Sequence, residues 1–171
     1  MNKTVLIETQ FLPPISSFSF FINAQVVCFE MQENYQKRSY RNRCKLIGPN
    51  GPITLSVPLS KGKNQQTLIR DIIVSYDMPW VSTHLQTIRS CYGNATYFDF
   101  AFEEIEKVLL SKPKFLHDLN IKLFFNIINF LGLDLSAASS LNYERKPRTD
   151  MLDLRNCISP VKLKSHKNHT K

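Results

Sequence analysis

The chain has 171 residues, 43% hydrophobic and 21% charged, which fits one globular domain and excludes a disordered or disulfide-stapled chain. Its net charge of +8 is unevenly placed: residues 145–171 carry eight Lys/Arg against two acids, leaving 14 and 12 elsewhere, so that stretch holds +6 and the rest only +2. A nearly balanced body without an RNA- or DNA-binding motif excludes sequence-specific nucleic-acid binding as the leading expectation.

"TVLIE" (4–8) is a short β-branched and apolar run ending at "QFLPP", which predicts a buried strand followed by a loop that Pro13 and Pro14 keep out of any ladder. "ISSFSFFINA" (15–24) places Phe18, Phe21 and Ile22 on one helical face, and "QVVCFE" (25–30) reads as a second strand. Strand, helix and strand at this spacing predict a right-handed crossover joining parallel strands. A basic stretch, "QKRSYRNRCKL" (36–46), follows, and then a hairpin about the GPNG turn at 48–51. "KGKNQQ" (61–66) is a polar loop and "TLIRDIIVSY" (67–76) a strand with mixed faces. From Pro79 onward the spacing is helical in three segments, the last with Leu116, Leu119, Leu123, Ile127 and Phe130 as its stripe and Gly132 as its stop.

The expected fold is α/β: a β-α-β start with a mixed sheet and hairpin, then about three C-terminal helices packing on the sheet. Residues 1–135 form the expected domain, and 136–171 a polar, basic tail whose end, "VKLKSHKNHTK", is too poor in apolar residues to order alone. Cys28, Cys44, Cys91 and Cys157 make no CxxC or Cys/His cluster, so no metal site is expected. The start lacks a signal-peptide h-region, and Asn126 and Asn129 interrupt the most apolar stretch, so the expectation is a cytoplasmic protein without a transmembrane segment.

Three readings compete for the basic stretch: a solvated strand edge, a nucleic-acid grip, or the wall of an anion site. In a strand over 40–47, Arg41, Arg43 and Lys45 share one face, and two arginines so placed can each take a carboxylate or phosphate in bidentate fashion. His84 suits a general base, but a helix-surface or core histidine is the favoured reading. Trp80, the one tryptophan, fits core packing or stacking on a sugar ring. Glu30 ends the second parallel strand, where α/β sheets gather ligands, and it suits an amine, a metal or a neighbouring arginine. Cys28, within an apolar strand, reads as an inert thiol. A parallel crossover would bring Gln10, Glu30 and Arg41 or Arg43 to one cleft.

The order of "ETQFLPPISSFSFF", "AQVVCFE", "ENYQKRSYRNRCKL", "LSVPLSKG" and "IRDIIVSYDMPWVSTHLQTIRSCYGNATYFD" resembles the WbqC-like family, with an echo in "DLRNCISP". Gln10, Pro13, Lys37, Arg38, Arg41, Asn42, Arg43, Pro58, Trp80, His84, Tyr92 and Tyr97 match its motif positions. The resemblance implies a bacterial protein of O-antigen or other surface-polysaccharide biosynthesis, with transfer of glycine or an aminoacyl group to a sugar carboxylate as the suggested reaction. The expected substrate is small and anionic, a nucleotide sugar or sugar acid, bound by Gln10, Lys37, Arg38, Arg41, Asn42, Arg43 and Trp80, with His84 and Glu30 as catalytic candidates. Amide formation needs ATP or an activated carrier, yet no P-loop or GxGxxG is present. Ser159 to Val161 stand where the family carries His-Pro-Lys, and relative to the family the chain reads as truncated. The alternative is a non-catalytic binding or accessory protein of the same pathway, an inactive copy.

Overall fold

The computed structural model describes residues 4–60 and 66–160. Strand β1 (Thr4–Glu8), helix α1 (Ile15–Phe21) and strand β2 (Val26–Glu30) form the β-α-β start, with β1 and β2 parallel and Glu8 in register with Glu30. The helix stops at Phe21, short of residue 24, and Ala24 begins the return to the sheet by donating its N–H to the Phe21 carbonyl. Four of the five β1 residues are buried, as expected of a parallel strand covered on both faces.

The hairpin is β3 (Arg43–Gly48) and β4 (Gly51–Ser56), turning through Gly51 at φ 117°. The single strand expected over 67–76 is broken instead. A 3-10 turn at Ile69–Asp71 precedes strand β6 (Ile73–Val74), which pairs with β5 (Leu59–Ser60). Helices α2 (Trp80–Tyr92), α3 (Phe98–Leu110) and α4 (Leu116–Phe130) follow.

The last two strands correct the expected domain boundary. Residues 136–139 are strand β7 (Ser136–Ser139), parallel to β2, and 151–153 are strand β8 (Met151–Asp153), parallel to β1. A tail beginning at 136 therefore does not describe these residues. Short, polar sequence such as "SAAS" carries no strand signal, because an edge strand contributes backbone hydrogen bonds more than buried side chains. The tail end from 161 and the loop at 61–65 lie outside the described residues.

The parallel sheet has the order β7-β2-β1-β8. Its strands, taken in chain order, thus lie 3-2-1-4, and the connection from β7 crosses to the far edge. This places the topological switch between β1 and β8, where the carboxyl ends of open α/β sheets leave a crevice.

Two apolar clusters make up the core. One joins the hairpin to the helices through Phe11, Cys44, Leu55, Trp80, Leu109 and Leu119. The other covers the sheet through Val5, Ile7, Val27, Phe29, Phe124 and Leu154. Helix α4 enters both, with Leu116, Leu119 and Leu123 in the first and Phe124 and Ile128 in the second. Its buried stripe therefore swings onto Phe124 and Ile128, while Phe130, expected inside, is exposed. The Phe124 ring meets Phe21 and Phe29 edge-on, at centroid distances of 5.3 and 4.9 Å.

Candidate functional site

Glu8 and Glu30, the last residues of adjacent parallel strands, have side chains only 1% exposed. Buried carboxylates need donors, and each has its own set. Glu8 accepts from Gln10 Nε2 at 3.0 Å and from the Asn156 backbone N–H at 2.8 Å. Gln10 in turn accepts from Ser17 Oγ at 2.9 Å. Glu30 accepts from the Gln32 N–H at 2.9 Å, Ser140 Oγ at 2.6 Å and Arg155 Nη1 at 2.9 Å.

Arg41 fills the space beside them. Its Nε and Nη2 donate in bidentate fashion to Glu33 at 2.6 and 2.5 Å, Nη2 also donates to Asn156 Oδ1 at 2.8 Å, and Glu8 lies 4.0 Å away. The backbone makes this possible at two left-handed residues, Arg38 at φ 59° in the turn before Arg41 and Asn156 at φ 59° after β8. Arg155 donates to Asp153 from both Nε and Nη2, each contact 3.0 Å or shorter. Helix α4 is tied in by Asn120, whose Nδ2 donates to the Arg41 carbonyl at 2.8 Å and to Thr9 Oγ1 at 3.3 Å.

Four carboxylates (Glu8, Glu30, Glu33, Asp153) thus meet two guanidinium groups (Arg41, Arg155), a formal surplus of two negative charges. Burial pushes the Glu33 carboxyl up; Arg41 opposes the rise, and Glu8 and Glu30 add to it. Arg155 holds the Asp153 carboxyl below its ordinary value.

Two cavities open at this end of the sheet. One, of about 500 Å³, is lined by Gln32, Glu33, Asn34, Tyr35, Gln36 and Tyr143. The other, of about 280 Å³, includes Cys28, Glu30, Ser140, Asn142, Glu144 and Arg148 in its wall. They adjoin through the loop after β2 and the loop between β7 and β8, since Tyr143 lines one and its two neighbours the other.

The residues expected to share one cleft lie in different places: Gln10 lines a small void with Glu8 and Asn120, Glu30 lines the 280 Å³ cavity, and neither Arg41 nor Arg43 is in either wall. Gln10 and Arg41 both converge on Glu8, while Glu30, the register partner of Glu8, is held by Arg155. The expected row of Arg41, Arg43 and Lys45 does not form, because the chain is still turning at Arg41 and β3 starts at Arg43. Arg41 is buried, Arg43 half-buried with Nε unpartnered among the described residues, and Lys37, Arg38 and Lys45 are exposed. Asn42 braces the hairpin, its Nδ2 donating to the Val57 carbonyl at 3.0 Å. Trp80 lies in the first apolar cluster and His84 packs against it. Trp80 donates Nε1–H to the Ser75 carbonyl at 2.8 Å and stacks on Tyr76, and His84 packs between Trp80 and Phe11. Burial pulls the His84 imidazole below its ordinary value, and its Nδ1 has no partner among the described residues.

Sequence reasoning missed Glu8, Glu33, Asn120, Ser140, Arg155 and Asn156. One signal was present: "TVLIE" ends in an acid as "VVCFE" does, which marks Glu8 and Glu30 as equivalent strand ends. Among the described residues no group of three or more His, Cys, Asp or Glu could hold a metal ion, and no helix is long and apolar enough to cross a membrane.

No solved structure matches the chain significantly. The uncharacterized protein Rv1507c of Mycobacterium tuberculosis is 26% identical over 148 residues, which are 84% of this chain and 62% of the relative. The chain thus spans under two thirds of the length of that curated relative. The profile of the WbqC-like protein family matches residues 9–161, from Thr9 beside the strand end through β8 and Asn156. With nearly its whole length matched, the chain belongs to the WbqC-like protein family.

Proposed function

We propose that this chain is a transferase of surface-polysaccharide (O-antigen) assembly, joining glycine or another amino acid through its amine to the carboxyl of a sugar acid. The observation that supports it is the arrangement at Glu30. A buried carboxylate at a strand end takes a 2.6 Å hydrogen bond from Ser140, and both residues line the same cavity. An amine attacking an activated sugar carboxyl must lose a proton as the C–N bond forms. Ser140 Oγ accepts from the Met31 N–H at 2.9 Å and keeps a second lone pair that would take that proton as its own passes to Glu30, while Arg155 steadies the carboxylate. Activation of the carboxyl comes from ATP or a charged carrier, whose group leaves with the electron pair of the broken C–O bond.

The test is mass-spectrometric detection of glycine incorporated into sugar acids supplied with ATP. Glu30→Gln and Ser140→Ala are each expected to lower incorporation about 100-fold or more, the scale of general acid–base assistance. Full incorporation by Glu30→Gln would remove this reading.

A specific observation supports the second reading, a non-catalytic binding protein of the same pathway. Both buried guanidinium groups are already matched by carboxylates, so the cluster is as well suited to bracing a rigid binding surface as to chemistry. Ligand-induced thermal stabilisation with no incorporation under any supplied donor is the outcome expected of it; a ligand at 100 times its dissociation constant adds about 2.7 kcal/mol.

A further inference from the structure

We infer that the 500 Å³ cavity holds an uncharged sugar ring, with Tyr143 stacking on its C–H face and the carboxamides of Gln32, Asn34 and Gln36 bonding its hydroxyls. The inference rests on the reading above only in taking the ligand to be a saccharide, and it assigns the ring to a place separate from Glu30.

The lining chemistry carries it. Among the described residues, three carboxamides, one carboxylate and two tyrosines make the wall, and none of these is cationic. Carboxamides offer an acceptor oxygen and two donor hydrogens, the complement of a hydroxyl that both gives and accepts. Arg41 answers the Glu33 charge from behind and is spent on it, so the described wall offers a phosphate or free carboxylate no cation of its own, and a neutral ring is favoured over an anionic group. The volume lies within the range of small-molecule sites.

The wall is also preorganised. Residues 33–35 run extended beside 67–69, the Tyr35 N–H donating to the Thr67 carbonyl and the Ile69 N–H to the Glu33 carbonyl, each at 2.9 Å. Alternation turns Glu33 and Tyr35 inward, to Arg41 and the first apolar cluster, and leaves Asn34 and Gln36 exposed as arms. Arg70 Nη1 donates to Gln32 Oε1 at 3.0 Å, which leaves the Gln32 amide hydrogens for a ligand. Tyr143 is 55% exposed, yet the Arg155 guanidinium lies 5.0 Å from its ring centroid and steadies one face. An exposed aromatic face fixed from behind is what stacking on a pyranose requires. The reacting end of the sugar would then extend past Asn142 and Glu144 toward Glu30.

Saturation-transfer difference NMR on the full chain, with methyl glycosides of neutral hexoses, 6-deoxyhexoses and N-acetylhexosamines as probes, tests this. At least one glycoside should receive saturation on the C–H protons of one ring face. Tyr143→Ala and Gln36→Ala should each cut that signal at least fivefold without lowering the melting temperature, and Tyr143→Phe should restore it. Absence of saturation for every glycoside, or a signal unchanged in Tyr143→Ala and Gln36→Ala, would overturn the inference. Binding of this pattern without glycine transfer sinks only the transferase reading. Glycine transfer that survives Tyr143→Ala and Gln36→Ala undiminished, with no glycoside bound, sinks only this one.

Discussion

The residue whose chemistry changes most on folding is Arg41. As a member of an arginine row it would be an exposed anion receptor; in the structure it is buried and bonded to Glu33, Asn156 and the vicinity of Glu8. Removing one partner of a buried ion pair leaves the other charge uncompensated, at a cost of about 3–5 kcal/mol. Arg41→Ala and Glu33→Ala are therefore both expected to lower stability by that amount in urea unfolding, whereas Arg43→Ala, half-exposed, should stay within about 0.5 kcal/mol. Equal effects at 41 and 43 would contradict this division. His84 and His117 supply a pH dependence. Burial lowers both imidazoles below the free value of 6.5, so the unfolded chain binds protons there that the folded chain refuses. Stability is then complete above about 6.5 and falls as pH drops below it, and His84→Phe should flatten the slope of melting temperature against pH between about 6.5 and 5. Much of this lay hidden in the sequence because the identity of an arginine's partner is a long-range fact. Glu33 stands only eight positions from Arg41, yet nothing local distinguishes it from a solvated acid.

Among the elements, β1, α1, β2 and the hairpin were legible, because apolar runs, prolines and a Gly-containing turn are local signals. The hairpin depends on Gly51, where φ is 117° and a Cβ would meet nothing within 4 Å. Backbone strain alone then sets the penalty, and Gly51→Ala is expected to cost about 1–3 kcal/mol in urea unfolding. Strands β7 and β8 were illegible for the opposite reason. Ser136–Ser139 is polar and Met151–Asp153 only three residues long, and both are defined by a waiting sheet edge rather than by their own propensity. The sequence echo in "DLRNCISP" did mark the place, and it contains Leu154, Arg155 and Asn156, which bind the core, Glu30 and Glu8 respectively. Leu154→Ala should therefore cost about 2–5 kcal/mol, as for other buried leucines.

At the scale of the whole molecule, the expected boundary at 135 fails because the sheet is completed from the far end of the chain. A chain ending at residue 135 would expose both edges of β1-β2 and leave Glu8 and Glu30 buried without Asn156, Arg155 and Ser140. It is expected to lose cooperative unfolding, measurable as a broad, early transition in circular dichroism against urea. A sharp transition at the full-length midpoint would show that the first 135 residues stand alone.

The hydrogen bond from the Asn156 N–H to Glu8 spans 148 positions. On a ribosome the first strand is made long before the segment that answers its terminal carboxylate, so that acid stays wet while nearly all the remaining chain is synthesised. Loop closure of this length is slow, and assembly of the strand-end cluster becomes a late step in folding. Competence for binding would accordingly appear after secondary structure, as a lag between circular dichroism and ligand capture. A chain interrupted anywhere before Asn156 would be ordered in part and inert at its strand ends, so the fold itself reports whether synthesis has run through that residue.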